Sequence, residues 1–236
     1  MKHIEFSALY KIADRSKKRC DELKEKRSRI NRQLRRFQTQ CHLDFSRFII
    51  HRILKGFPMI NGHVFIATSL DGFIARMNGD IEWLISRDDP KEDHGYNDFI
   101  KGIDGIVMGR GTFEKALTFE TWYYSVPVIV LSKTLTASNI PEHLKDKVQI
   151  SKLSPRELMS QLEKKGWKNV YVDGGQVIQS FLREGQIADL VITTVPVLIG
   201  EGRPLFGSLL EDISLTHIQT RAFPSGLVQS EYKVTR

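Results

Sequence analysis

Cysteine is nearly missing from this 236-residue chain: two occur, Cys20 and Cys41, and the last 178 residues have none. That scarcity excludes a disulfide framework and a cysteine-ligated zinc site. Histidine supplies no substitute. The seven histidines are scattered and no H-E-x-x-H occurs, so no protein metal site is expected. Long apolar runs are missing too, and nothing approaches the roughly 18–20 uncharged residues of a membrane helix. No signal-peptide pattern opens the chain, because Lys11 to Arg36 is crowded with charge. Acidic residues in the same stretch disfavour a transit peptide. The cytoplasm is the expected location. What is present suffices for a core: 41% of residues are hydrophobic, which excludes a wholly disordered chain.

A formal charge of +7 would by itself suggest a nucleic-acid partner. Its distribution argues otherwise. Residues 1–58 carry 16 basic and 6 acidic side chains, a balance of +10, and residues 59–236 carry 19 and 22, a balance of −3. The expectation is a basic arm (1–58) ahead of a mildly acidic domain (59–236). In the arm, Leu23, Ile30, Leu34, Phe37, Cys41, Phe45 and Phe48 recur at helical spacing, and Gly56 with Pro58 closes the pattern. Three readings of it stand side by side. It is an amphipathic helix packed on its own domain or a sister chain, a basic arm for nucleic acid or an anionic membrane, or an extension upstream of an independent start at Met59. No nucleic-acid partner is expected for the domain itself.

From Met59 onward, strand and helix patterns alternate. Strands are expected at His63–Ser69, Gly105–Met108, Pro127–Leu131, Val148–Ser151, Asn169–Val172, Asp189–Leu198, Leu215–Ala222 and Leu227–Val234. Several are short, apolar and β-branched, as strands buried on both faces are. Ser154-Pro155-Arg156-Glu157 is a capping box with proline at the first helical position, and Gly166 ends that helix. Further helices are expected at Asp93–Ile100, Thr112–Leu117 and Gln176–Arg183. Pro224-Ser225-Gly226 joins the last two strands as a hairpin. The sum is an α/β sheet, mostly parallel, with an antiparallel C-terminal edge.

Two strands run into glycine turns that open helices, at Gly109-Arg110-Gly111-Thr112 and at Asp173-Gly174-Gly175-Gln176. Glycine lets backbone N–H groups approach an anion, and a helix start adds partial positive charge. Arg110 can pair with a phosphate in bidentate fashion. A third strand end, Leu131-Ser132-Lys133, offers a hydroxyl and an ammonium. Ligands of open α/β sheets bind beyond the carboxyl ends of strands, where all three turns fall. None is a G-x-G-x-x-G or Walker loop, and tight packing alone is the plain alternative for each. With no evident nucleophile, no G-x-S-x-G and no metal motif, the pattern points to a bound cofactor that carries the chemistry.

At these residues the sequence resembles the dihydrofolate-reductase-like superfamily. It is similar in particular to the reductase domain of the bacterial bifunctional riboflavin-biosynthesis deaminase-reductase and to stand-alone relatives. The resemblance rests on Ala67-Thr68-Ser69-Leu70-Asp71-Gly72-Phe73-Ile74-Ala75, Gly79-Asp80-Ile81-Glu82-Trp83-Leu84, Met108 to Glu114, Val130-Leu131-Ser132, Val172-Asp173-Gly174-Gly175, and Pro196 to Phe206. It covers about 62–236. It implies a three-layer fold with helices on both faces, bound NADPH and a homodimer. It further implies that the main chain at Ala67 borders the nicotinamide. Gly109, Arg110, Gly111, Thr112, Leu131, Ser132 and Lys133 would hold the adenosine side and its phosphate. Asp173, Gly174, Gly175 and Gln176 would line the pyrophosphate. Asp71 and Trp83 would form the substrate pocket as the catalytic pair, although Asp71-Gly72 also reads as a hairpin turn and Trp83 as a core aromatic. The implied reaction is hydride transfer to a C=N or C=O carbon of a small heterocyclic or ribosylated substrate, as for 5-amino-6-(5-phosphoribosylamino)uracil, with a proton from water, Asp71 or Asp98. The acid-rich loop of the riboflavin reductases is replaced here by Lys115 to Trp122, which resembles the stand-alone relatives, and no deaminase is attached. A dihydrofolate- or pteridine-type reductase, and a nucleotide-binding protein without turnover whose arm binds nucleic acid, remain the alternatives.

Overall fold

In the computed structural model, residues 60–87 and 89–235 are described. The arm with its helical pattern, both cysteines and Met59 lie outside the described residues. The strands are β1 (Asn61–Ser69), β2 (Phe73–Ala75), β3 (Gly105–Gly109), β4 (Val128–Leu131), β5 (Val148–Ser151), β6 (Asn169–Asp173), β7 (Ile187–Val195), β8 (Arg203–Pro204), β9 (Leu215–Ala222) and β10 (Val228–Val234). The helices are α1 (Glu82–Ile85), α2 (Tyr96–Lys101), α3 (Arg110–Ala116), α4 (Pro155–Lys164) and α5 (Gly175–Arg183).

Eight strands form one sheet in the order β5-β4-β3-β6-β1-β7-β10-β9. Its pairs are parallel from β5 through β7. They turn antiparallel at β10 and β9, the expected C-terminal edge. Apolar side chains leave both faces of the central strands. On one face Val107, Val170 and Val172 pack under Leu158 and Leu162 of α4 and Ile178 and Phe181 of α5. On the other, Ile106, Met108 and Tyr171 pack under Phe113 of α3 and Tyr96 and Phe99 of α2. Helices therefore cover both faces, as the resemblance implied. The Ser154 capping box forms as read: Ser154 caps the Glu157 N–H and Glu157 reaches back to the Ser154 N–H.

Four local features depart from the sequence reading, each for a visible reason. β7 stops at Val195 rather than Leu198, because Pro196 has no N–H for the ladder. The helix expected from Asp93 starts at Tyr96, since the Asp93 carboxylate accepts the Gly95 N–H at 2.8 Å and Gly95 turns left-handed at φ 82°. The short helix α1 leaves no periodic signal in the sequence, because four residues are too few to show a period. Asp71-Gly72 does form a turn, with the Gly72 N–H bonded to the Ser69 carbonyl. It does not make a hairpin, however. Both edges of β1 are already taken by β6 and β7, so β2 leaves the main sheet and pairs with β8.

At the amino ends of the strands, opposite the glycine turns, His63 of β1 bridges two neighbours. Its Nδ1 lies 2.8 Å from Asp189 on β7, and its Nε2 lies 3.1 Å from Asn169 Oδ1 on β6. Asn169 donates its own amide hydrogen to the Gly102 carbonyl at 3.0 Å, which turns Oδ1 toward His63. Both ring nitrogens therefore face acceptors, and the imidazolium satisfies both. Burial opposes that charge, but the Asp189 and Asn169 contacts outweigh it and raise the His63 pKa. A raised histidine pKa stabilises the fold fully below the unfolded value and loses its contribution as pH climbs through the folded value. Asp189→Asn should therefore destabilise by about 1–3 kcal/mol at pH 6, as expected for a charged hydrogen bond. Denaturant unfolding should show that penalty shrinking toward pH 9. A penalty independent of pH would exclude the charged pair.

Candidate functional site

The carboxyl ends of β3, β4, β5 and β6 open onto one cleft of about 1230 Å³. It lies beyond the carboxyl ends of neighbouring parallel strands, where open α/β sheets bind ligands.

Ten residues singled out from the sequence line this cleft together: Gly109, Arg110, Gly111, Thr112, Leu131, Ser132, Lys133, Gly174, Gly175 and Gln176. Packing is tight at three of the glycines, and Gly174 and Gly175 leave no room for a side chain, whereas at Gly111 the neighbour is a flexible guanidinium. A Cβ on Gly174 would stand 2.5 Å from Thr112 Oγ1, one on Gly175 would stand 2.6 Å from the Pro204 carbonyl, and one on Gly111 would stand 2.9 Å from the Arg203 guanidinium. The two glycine turns are thus pressed onto each other and onto β8, and main chain rather than side chain faces the opening. α3 has only seven residues, so its contribution is glycine main chain and Arg110 rather than an extended helix dipole. The Arg110 guanidinium donates to Glu114 at 2.8 Å and to Thr134 at 3.3 Å. These bonds use two of its five N–H groups and steady the rest. Ser132 Oγ accepts the Leu135 N–H at 3.0 Å and so folds the turn that carries Lys133.

The cleft also has walls that the sequence reading did not assign. Ser151 ends β5 and Lys152 and Leu153 follow it, and Met77, Arg203 and Pro204 come from the β2–β8 side. The rule that selected the ends of β3, β4 and β6 applies equally to β5, so Lys152 was within reach. Arg203 was not, because its position depends on the unforeseen pairing of β2 with β8. Its guanidinium donates to the Met77 carbonyl at 3.2 Å and lies over Gly111. Four cations, Arg110, Lys133, Lys152 and Arg203, therefore border the cleft. Neither lysine has an acidic partner among the described residues.

The remaining candidates lie elsewhere. Asp71 is outside the cleft lining, where its carboxylate accepts N–H bonds from Ile199 at 3.1 Å and Gly200 at 2.8 Å. The Ser69 hydroxyl, followed by these backbone donors, pulls its pKa down and keeps it ionised. Asp71 thereby anchors the loop after β7. Ile199 in that loop packs with Trp83, Val195 and Leu227 in a small apolar cluster, and Ala67 of β1 lies against the same cluster. Asp71, Trp83 and Ala67 are thus brought together, apart from the cations. Trp83 is only 6% exposed, and its indole N–H has no partner. Asp98 is paired with Lys101 at 2.7 Å on the exposed side of α2. Asp173 is not among the cleft-lining residues. It ends β6 on the aromatic side of the sheet, and burial pushes its carboxyl up to about 6 against one N–H bond from Gly174.

The fold is an open, mostly parallel α/β sheet with a glycine-lined, cation-bordered cleft at the carboxyl ends of its strands, where such sheets bind ligands. The chain belongs to the RibD C-terminal domain family, which matches residues 62–229, and that family is reductase-like. A crystal structure of a protein from Shewanella sp. PV-4, provisionally named for riboflavin biosynthesis, is 41% identical with a TM-score of 0.71, covering 75% of this chain and all of that one. The uncharacterized protein YwjB of Bacillus subtilis is 31% identical over 164 residues, 68% of this chain and 90% of YwjB. The Thermotoga maritima diaminohydroxyphosphoribosylaminopyrimidine deaminase/5-amino-6-(5-phosphoribosylamino)uracil reductase shares the fold at a TM-score of 0.61 and 17% identity, covering 80% of this chain and 60% of that one. Among the described residues no helix is long and apolar enough to cross a membrane.

Proposed function

We propose that the chain is an NADPH-dependent reductase acting on a small heterocyclic or ribosylated substrate of the type of 5-amino-6-(5-phosphoribosylamino)uracil, with residues 59–236 as the reductase unit. The observation that carries this is the cleft itself: glycine main chain from two strand ends with four cations around it. A dinucleotide bearing three phosphates suits that donor set, because glycine N–H groups take the diphosphate and the cations neutralise it. Arg110, Ser132 and Lys133 are the groups for the additional phosphate that separates NADPH from NADH. Gly174, Gly175 and Gln176 are those for the diphosphate, with Arg203 clasping it from β8. NADPH, when bound, supplies a hydride. The protein's part is to orient the reactants and keep out water. Ala67 and Trp83 form the apolar floor for that, and Asp71 positions them through the Ile199 loop. A homodimer and a cytoplasmic setting belong to the same reading through the family resemblance.

Fluorescence titration of the full chain with NADPH and NADH tests it. NADPH should bind the more tightly. Arg110→Ala should weaken NADPH by about 10- to 100-fold, the loss expected for a charged hydrogen bond to phosphate, and leave NADH nearly unchanged. Equal losses for both nucleotides would move Arg110 off the additional phosphate, and no NADPH binding by the full chain would remove the reductase reading.

A further inference from the structure

The strand β8 consists of Arg203 and Pro204 alone and meets β2 through the pairs Phe73–Pro204 and Ala75–Arg203. Proline has no N–H for a ladder, and a pairing this short is weak by itself. A second anchor comes from α5. The Gln179 side-chain amide donates to the Pro204 carbonyl and to the Leu205 carbonyl, each at 3.2 Å. The chain after β8 closes around that amide, since a Cβ on Gly207 would stand 2.5 Å from Gln179 Oε1. Leu205 pins the segment from the core side. Gln179, a cleft-lining residue, pins it from the ligand side.

The segment so held bridges both glycine turns. The Pro204 carbonyl lies against the second, where a Cβ on Gly175 would meet it at 2.6 Å. Arg203 lies over the first. Its Nε and Nη2 both donate to the Met77 carbonyl, at 3.3 and 3.2 Å. Its Nη1 donates to no described residue and stands 2.9 Å from where a Cβ on Gly111 would be. The guanidinium also has no acidic partner among the described residues. One end is thus fixed on a carbonyl, and the free end is held at glycine main chain open to an anion.

Building on the reductase reading, we propose that Gln179 is a positioning residue for the cofactor: its forked amide seats β8 so that Arg203 Nη1 meets the diphosphate between the Gly111 and Gly175 turns. Gln179 touches no phosphate and acts through Arg203. The diphosphate is common to NADPH and NADH, so this pair serves both nucleotides alike, whereas Arg110 serves the phosphate that distinguishes them.

Fluorescence titration of the full chain with NADPH and NADH at low and high salt tests the proposal on Arg203→Ala, Gln179→Met and the double variant. Methionine keeps the length of glutamine and removes both donors. Arg203→Ala should weaken both nucleotides about 10- to 30-fold, the loss expected for a charged hydrogen bond. Gln179→Met should weaken both about fivefold or more. The double variant should bind no more weakly than Arg203→Ala, because the two residues act through one contact. Each single variant should also flatten the salt dependence of affinity, since the lost contact is between charges. A side chain that only stabilises the fold would lower the melting temperature and leave that dependence as in wild type. Wild-type affinity in either single variant, losses that multiply in the double variant, or an unaltered salt dependence would overturn the proposal. Calorimetric titration of inorganic pyrophosphate decides the case in which wild type binds neither nucleotide. Pyrophosphate binding with the same losses in the variants would then remove the reductase reading and leave the role of Gln179 standing, and any other result would overturn both.

Discussion

Gly174→Ala should destabilise the protein by at least about 3 kcal/mol, because strain and overpacking act at the same atom. Gly174 adopts φ 90° and ψ 132°, a region that side chains other than glycine avoid. The added Cβ would also stand 2.5 Å from Thr112 Oγ1, and neither β6 nor α3 can retreat without opening the core. Gly166→Ala separates the two contributions. Gly166 has a similar φ of 91°, but a Cβ there meets nothing within 4 Å. That variant should lose only about 1 kcal/mol, the backbone part. In the double variant Gly174→Ala/Thr112→Ala the clash is gone, and the loss should fall toward that of Gly166→Ala. Chemical denaturation of the four proteins reads this directly. If Gly174→Ala and Gly166→Ala are equally mild, the contact between the two glycine turns is not tight.

Asp173→Asn should stabilise the protein at pH 7.5. Burial on the aromatic face of the sheet raises the Asp173 carboxyl from its ordinary range to about 6. The folded state then binds a proton more tightly than the unfolded state, so stability falls as pH rises from about 4 to 6 and stays lower above that. A shift of about two units corresponds to nearly 3 kcal/mol. Asp173 keeps some contact with solvent, which reduces the expected gain of the neutral amide to about 1–2 kcal/mol. In a domain of this size that is a rise in Tm of roughly 2–8 °C. The amide oxygen still accepts the Gly174 N–H, so the turn is preserved. The gain should vanish near pH 4, where both side chains are neutral. Equal melting temperatures for wild type and variant at pH 7.5 would show that Asp173 is ionised without penalty.

The arrangement of the sheet was largely legible in the residues. Val128-Ile129-Val130 and Val170-Tyr171-Val172 are apolar on every position because both faces are covered, and their shortness and β-branching mark them as strands. The capping box at Ser154, the glycine stop at Gly166 and the hairpin glycine at Gly226 are local devices, and each acts where it was read. The cleft was legible in part for the same reason: a glycine turn at the carboxyl end of a parallel strand carries its meaning within a few residues. Lys152 was within reach of that rule, whereas Arg203 was not. Its place over Gly111 depends on β2 leaving the sheet to pair with β8, a contact between segments some 130 residues apart.

Residue type and spacing alone determined an α/β sheet with an antiparallel edge, three anion-friendly strand ends, and a charge confined to residues 1–58, because each of these is set by neighbours in the chain. Tertiary structure decided which candidates share a site. Strand order brings the ends of β3, β4, β5 and β6 around one opening and turns Asp71 into an anchor for the Ile199 loop. Alternation along β6 sends Asp173 away from the cations and onto the aromatic face of the sheet. A carboxyl beside two glycines looks like part of a phosphate turn in the sequence. Only the face of the sheet from which it projects determines whether it meets a cation or a phenol, and that sets its ionisation.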